Sequence, residues 1–447
     1  MYLYVFNILD LSISRRYAYF MFVPRLIKPV MRDLAESPVG KGLILTGARQ
    51  TGKTTFLRRE FLPSYEYHSF DEALYREQIA RRPAADWIAR GKNYIFDEVQ
   101  KAPAFLGTVK ALLDRGTENQ RVILSGSAQI VLLSGVRETL AGRVVTRELY
   151  PLTVTESSGV EHPLLCDLFA CNSTVEVKTL LDEAALGSGG GEAAGTRAAS
   201  ASAALEQVLA WGGMPALLHL NEEAHRWIWL EEYCQTYLQR DVADLGRVSD
   251  LDDFLRLQRI AARRTATVLN YADLARDADL SPLTAKKYLR YLELSYQAFI
   301  LPAQRKPRGK RLIKAPRLHW MDTGVQRVLS GWRQGLTGAQ FESGVIAEIH
   351  KLVRTLRLPV ELSFLRTKDG REVDLLVELP GGKFLAFEFK ASPRAAPQDA
   401  RHLRGLGELL GAPVLAGMVI HQGDSFEKWD GNLYGVPALL LFTRSPG

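Results

Sequence analysis

The sequence predicts an α/β fold, with a parallel sheet in its first third and a second, smaller α/β unit at its end. Three observations predict it. Short apolar runs, KGLILT at 41–46, NYIFD at 93–97 and RVILS at 121–125, are separated by helical patterns such as Phe105 to Arg115. Strands that alternate with helices in this way form parallel sheets. A glycine-rich loop joins the first run to a helical stretch from Thr55 to Glu60. Late in the chain, an amphipathic helix from Phe341 to Leu356 precedes apolar runs at 373–379, 384–390, 415–420 and 438–442, each read as a strand.

Between these units the texture changes twice. Residues 184–204 hold 17 Ala, Gly or Ser among 21 and offer little apolar area to bury, so a flexible linker is expected there. Leu205 to Val248 reads as helical, with a break at Gly212-Gly213-Met214-Pro215. A short helix from Tyr271 to Ala278 is followed by the turn Asp279-Leu280-Ser281. Ser281 then caps a second helix starting at Pro282. Strands at Ala298 to Pro302 and Arg317 to Met321 flank a basic hairpin, which completes the order of a winged helix.

The chain has 447 residues, enough for about three domains on a soft prior of roughly 150 residues each. Hydrophobic residues make up 47% and charged residues 24%, as in globular proteins. The net charge of +7 is a mild basic excess, so the placement of the charges matters more than their sum. Three cysteines, Cys166, Cys171 and Cys234, make no disulfide framework or zinc knuckle, and a reducing cytoplasm is expected. No stretch has the apolar length of a membrane helix. The apolar N-terminus is interrupted by Asp10 and its cations, Arg15 and Arg16, follow the apolar run, which is the reverse of a signal peptide. An over-extended start, with Met21 opening the protein, is one reading of it.

The loop Gly47-Ala48-Arg49-Gln50-Thr51-Gly52-Lys53-Thr54, continued by Thr55, matches G-x-x-x-x-G-K-[ST]. Its glycines let backbone N–H groups turn inward around phosphates, and the following helix points its positive end at them. Lys53 reaches the β- and γ-phosphates, and the Thr54 hydroxyl ligates Mg²⁺. ATP with Mg²⁺ is therefore the expected ligand, although the loop does not encode the base and GTP is compatible. Asp97 and Glu98 end the NYIFD strand, where Asp97 would hold the metal and Glu98 would polarise the attacking water. Ser127, after the third strand, is either a sensor of the γ-phosphate or a turn-forming serine. Arg143 is either an arginine finger or a surface arginine.

Two features outside the loop suggest a second chemistry. Asp374, Glu388 and Lys390 have D-x₁₃-E-x-K spacing, in which the carboxylates hold Mg²⁺ beside a scissile phosphate and the lysine steadies a water. Glu348, on the preceding helix, is a candidate fourth member. A three-residue Pro380-Gly381-Gly382 loop is expected, because only that register sets Asp374 opposite Glu388. The alternative is a solvated strand. Seven cations, Arg305, Lys306, Arg308, Lys310, Arg311, Lys314 and Arg317, lie between Leu301 and Trp320 with no acid among them. With Lys286, Lys287 and Arg290 on the second helix, they suit double-stranded DNA phosphates or, alternatively, an acidic neighbouring domain.

These residues resemble a family of bacterial and archaeal AAA+-like ATPases. The matching pieces are GARQTGKTT at 47–55, IFDEVQ at 95–100, LSGSA at 124–128, LAGRVVTRELYPLTVTE at 140–156, WGGMP at 211–215 and YLQRDV at 237–242. LRTKDGREVDLLVE at 365–378 and FEFK at 387–390 extend the match. The resemblance covers roughly residues 25 to 400 and departs at the Ala/Gly/Ser-rich stretch. It implies an N-terminal ATPase joined to a winged helix and a restriction-endonuclease-like fold of uncharacterised role. It also implies the roles given above for Lys53, Thr54, Asp97, Glu98, Ser127 and Arg143. The expected organisation is an N-terminal extension (1–24), an ATPase domain (25–182), a flexible insertion (183–204), a helical lid (205–258), a winged helix (259–325) and a nuclease-like domain (332–447). The expected function is Mg²⁺-dependent ATP hydrolysis coupled to DNA binding, with DNA cleavage in doubt. The alternatives are an ATP-switched regulatory module with a dead nuclease fold, or a remodeller of protein partners.

Overall fold

A computed structural model describes residues 22–126, 139–187, 192–238, 250–304 and 313–443. The first unit is a five-stranded sheet in the order β2-β3-β4-β1-β5, with β1 Gly42–Thr46, β2 Glu66–Ser69, β3 Tyr94–Asp97, β4 Val122–Gly126 and β5 Val144–Glu148. All four neighbouring pairs are parallel. Helices α1 Ile27–Glu36, α2 Lys53–Phe61, α3 Ala73–Arg81, α4 Ala84–Ala89 and α5 Leu106–Arg115 cover it. Successive residues of a strand face opposite sides, so the apolar runs feed two cores. Ile44, Phe96 and Leu124 pack with Trp87, Phe105 and Val109 on one face. Leu43, Leu45, Ile95 and Ile123 pack with Ile27, Met31, Phe56 and Leu57 on the other. Because the strands are parallel, the carboxyl ends of β1, β3 and β4 share one edge, and the glycine-rich loop leaves from it.

Helices α6 Val154–Ser158, α7 Leu164–Ala170, α8 Thr174–Gly187, α9 Glu192–Trp211 and α10 Glu223–Glu232 follow. Part of the Ala/Gly/Ser-rich stretch differs from the expected linker, since α8 runs through Gly187 and α9 starts at Glu192; residues 188–191 of that stretch lie outside the described residues. Alanine is the best helix former, and Ala201 and Ala204 are buried, so small side chains here permit close packing rather than flexibility. The helical pattern breaks after Trp211, where the Gly213 N–H donates to Asp322 (2.8 Å).

The next unit comprises α11 Leu251–Arg263, β6 Thr267–Val268, α12 Tyr271–Asp277, α13 Pro282–Leu294, β7 Ala298–Leu301, β8 Arg317–Trp320 and α14 Thr323–Ser330. Ser281 caps α13 by accepting from the Thr284 N–H. The strands form an antiparallel sheet in the order β6-β8-β7. Phe254, Leu257, Tyr288, Leu289 and Trp320 fill its core. Arg305, Lys306, Arg308, Lys310 and Arg311 of the basic hairpin lie outside the described residues.

The last unit opens with α15 Gly338–Leu356, capped by a Thr337–Gln340 box. Strands β9 Glu361–Arg366, β10 Glu372–Leu379, β11 Lys383–Lys390, β12 Val414–His421, β13 Glu427–Lys428 and β14 Leu433–Pro437 form a sheet in the order β13-β14-β12-β11-β10-β9. Helix α16, Leu406–Leu410, precedes β12. The expected strand at 438–442 is a helix, α17 Ala438–Phe442. Alanine and leucine favour that state, and the segment has no β-branched residue. The β10–β11 register runs from Leu375↔Phe387 to Leu379↔Lys383, which leaves the three-residue loop that the sequence reading requires. Its continuation sets Asp374 opposite Glu388. One apolar core joins α7, α8 and α9 to α15 and the inner faces of β10, β11 and β12, so the units are packed into one body.

Candidate functional site

The loop from Gly47 to Gly52 turns back on itself between β1 and α2. Gly47 has φ 152°, and a Cβ there would meet the Leu149 carbonyl oxygen at 2.1 Å, so only glycine fits. Gly52, at φ 91°, is the N-cap of α2, so the first-turn N–H groups of Lys53, Thr54 and Thr55 have no helical partner and face the loop. Thr51 stiffens the turn by donating to the Ala48 carbonyl (2.9 Å). The buried Lys53 ammonium donates to the Gly47 (2.9 Å) and Ala48 (2.7 Å) carbonyls and so lies folded along the loop. Tyr233 donates to the Arg49 carbonyl (3.2 Å), and Gln50 adopts a left-handed φ of 63°.

Asp97 is the hub of the site. The Thr54 hydroxyl and the Tyr67 hydroxyl each donate to its Oδ2 at 2.6 Å. Its Oδ1 accepts from the Ser125 hydroxyl and from the Glu98 N–H (3.1 Å). Two oxygens of the kind Mg²⁺ prefers, the Thr54 hydroxyl and the Asp97 carboxylate, therefore meet at the loop, and the donor set fits a Mg²⁺-nucleotide. Glu98 follows at φ 55° and accepts from the Gln100 side-chain amide. Burial raises its pKa above the ordinary carboxylate range; Lys53 opposes that shift, while Asp97 and Asp71 add to it.

The other expected members are placed differently. Ser127 lies outside the described residues. The serine that touches Asp97 is Ser125, which the sequence reading missed. Its signal was its position on β4, one residue beyond the Phe96↔Leu124 pair and so beside Asp97. Arg143 precedes β5, whose first residue pairs with Gly42, so it stands at the end of the sheet away from the loop. There it forms a two-pronged ion pair with Asp114 (2.6 and 3.1 Å), and it is not a finger for this chain's own loop.

A second missed residue is Arg25. This buried guanidinium donates to the Thr51 carbonyl of the loop (2.8 Å) and to the Tyr150 carbonyl (2.5 Å), and pairs with Glu156 (3.1 Å). Glu156 in turn closes the Thr153 capping box of α6. An arginine ahead of an amphipathic helix carries no sequence signal for such a role.

In the last unit Asp374 and Glu388 come together as expected, but Glu348 does not join them. Glu348 is buried against Lys351 and accepts from the Val154 N–H (2.7 Å), on the side of α15 that meets the first unit. The helical carboxylate beside Asp374 is Glu342. Arg317, counted above among DNA-facing cations, is instead buried at 3% exposure. Its Nη1 meets Glu342 (2.7 Å) and Asp374 (3.2 Å), and its Nη2 meets Glu372. Burial first, and Asp374 next, raise the pKa of both Glu342 and Glu388. With a guanidinium on these carboxylates the set does not fit a divalent metal. Among the described residues no group of three His, Cys, Asp or Glu is arranged to hold one.

Three family models match successive stretches of the chain. Residues 40–158 match an AAA domain, 202–335 match a domain of unknown function (DUF8612) and 337–441 match another (DUF4143). An uncharacterized protein of Mycobacterium tuberculosis is 27% identical over 422 residues, covering 92% of this chain and 82% of that protein. One of Methanocaldococcus jannaschii is 23% identical over 294 residues, covering 62% of this chain and 60% of that protein. Among solved structures, a Walker-type ATPase of Pyrococcus abyssi aligns with a TM-score of 0.43 and 15% identity, over 69% of this chain and 96% of its own. Among the described residues no helix is long and apolar enough to cross a membrane. Residues 40–158, which carry the phosphate loop, thus match an AAA domain, and matches to two domains of unknown function follow it.

Proposed function

We propose that this protein is a Mg²⁺-dependent ATPase whose nucleotide state sets how its later units contact DNA. The observation that carries the reading is the Thr54 hydroxyl on Asp97 at the mouth of the phosphate loop, with Glu98 beside it. The loop N–H groups and Lys53 would bind the phosphates, and Thr54 and Asp97 would hold the metal. Mg²⁺, when bound, neutralises phosphate charge. Glu98 takes the proton of the attacking water, and its raised pKa makes it a better base than an ordinary carboxylate. Ser125 and Tyr67 hold Asp97 in place.

Coupling to the later units is supported by contacts that begin at the loop. Arg25 links the Thr51 carbonyl to Glu156 at the start of α6, and the Val154 N–H of α6 binds Glu348 on α15. Tyr296, ahead of β7, donates to Thr46, the residue before the loop. For DNA, the support is the order helix, turn, helix, strand, strand of a winged helix, with Lys286, Lys287 and Arg290 exposed on α13.

ATP hydrolysis by the wild type and Lys53→Ala, each with and without double-stranded DNA at several salt concentrations, tests this reading. DNA-stimulated turnover that falls steeply with salt and is lost in Lys53→Ala is expected. Turnover indifferent to DNA would favour a protein partner instead.

A further inference from the structure

The carboxylates of the last unit are filled from outside it. Arg317 is the first residue of β8, yet its guanidinium reaches Glu342 on α15 and Glu372 and Asp374 on β10. It also lies over the Phe364 ring of β9, 4.8 Å from the centroid. The Phe389 N–H donates to Asp374 (3.1 Å), and Glu388 stands beside the group without touching Arg317, its buried Oε1 3.9 Å from His402 Nδ1 and without a hydrogen-bond partner. Arginine keeps its charge at any accessible pH, so loss of its own proton cannot empty this position. A divalent cation would need the same Asp374 oxygen that Arg317 holds, and would stand against a fixed positive charge. Backbone bonds hold the segments that leave β7 and lead into β8 against the same strand. Phe364 donates to the Pro302 carbonyl (3.0 Å), Gln304 donates to the Phe364 carbonyl (2.7 Å), and Ile313 donates to the Arg366 carbonyl (2.9 Å). Both stems of the basic hairpin are thus bonded along the β9 edge.

We propose that the Arg317 guanidinium is the resident cation of the Glu342–Glu372–Asp374 cluster, latching the β6-β8-β7 sheet to the last unit and leaving it no divalent-metal site. The last unit is then a docking partner for the preceding one and not a metal-dependent nuclease. This inference stands apart from the ATPase reading, because it concerns residues that never touch the phosphate loop.

Mn²⁺ titration of the nucleotide-free full chain, followed by electron paramagnetic resonance, tests it. Wild type and Asp374→Asn are expected to bind the same number of Mn²⁺ ions, and a site present in the wild type but lost in Asp374→Asn would overturn the proposal. Arg317→Met removes the cation and keeps the apolar stem. It is expected to unfold at a lower temperature than the wild type, to gain one Mn²⁺ site, and to lose that site when Asp374→Asn is added. An Arg317→Met protein as stable as the wild type would overturn the latch, and a folded one that gains no Mn²⁺ would overturn the role of resident cation. Failure of Arg317→Met to fold would support the latch, and the wild type with Asp374→Asn then decides the metal question alone.

Discussion

Asp97 accepts from Thr54, Tyr67, Ser125 and the Glu98 N–H, so its geometry is determined by three strands and a helix at once. Glu98 is less constrained, and burial raises its pKa. A general base works only when ionised, so activity is present above its pKa and lost as pH falls through it. The rate of ATP hydrolysis should therefore decline on the acid side at a higher pH than an ordinary carboxylate would give, and a pH–rate profile of kcat/KM checks this. Asp97 and Glu98 were legible because they end an apolar strand after a phosphate loop. Ser125 was not, since only the β3–β4 register shows that this residue stands beside Asp97. Arg317 was not legible either. Its partners lie 25 to 57 residues away along the chain, and local composition presents it as one more surface cation.

At the scale of elements, apolar periodicity located β1, β3, β4, β10, β11 and β12, because each is buried on both faces. It missed β2, β5, β6, β9, β13 and β14; of these, β2 and β5, with sequences EYHS and VVTRE, carry little apolar signal and stand at the sheet edges. Glu342 and Glu348 show the limit within a helix. They are six residues apart, about 240° around the axis, so they cannot serve one site, and the sequence does not say which of them faces the last sheet. The strand–loop–helix unit is the most sharply specified element, and Gly47→Ala tests it. Its Cβ would collide with the Leu149 carbonyl at a backbone angle alanine avoids. The loop should distort at a cost of about 1–3 kcal/mol, with ATP affinity falling at least tenfold in a binding titration.

At the scale of the whole molecule, the first and last units meet through buried charge. Glu348 and Lys351 form an ion pair with both side chains 2% exposed, and Glu348 also holds the Val154 N–H (2.7 Å). Glu348→Ala strands a buried ammonium and should cost about 3–5 kcal/mol, read as a lowered midpoint in urea unfolding. Glu348→Gln should lose less, because its amide oxygen can still accept from Val154. The Ala-rich stretch belongs to this scale too. From Glu192 it is helix, with Ala201 and Ala204 buried where only small side chains fit a close packing.

Glu98→Gln separates the role of Glu98 as base from nucleotide binding at the phosphate loop. ATP binding and steady-state hydrolysis would be measured on the wild type and the variant in Mg²⁺. Unchanged ATP affinity with turnover reduced by about 10²-fold or more is predicted, in line with the loss of a general base. Turnover by Glu98→Gln equal to that of the wild type would contradict it.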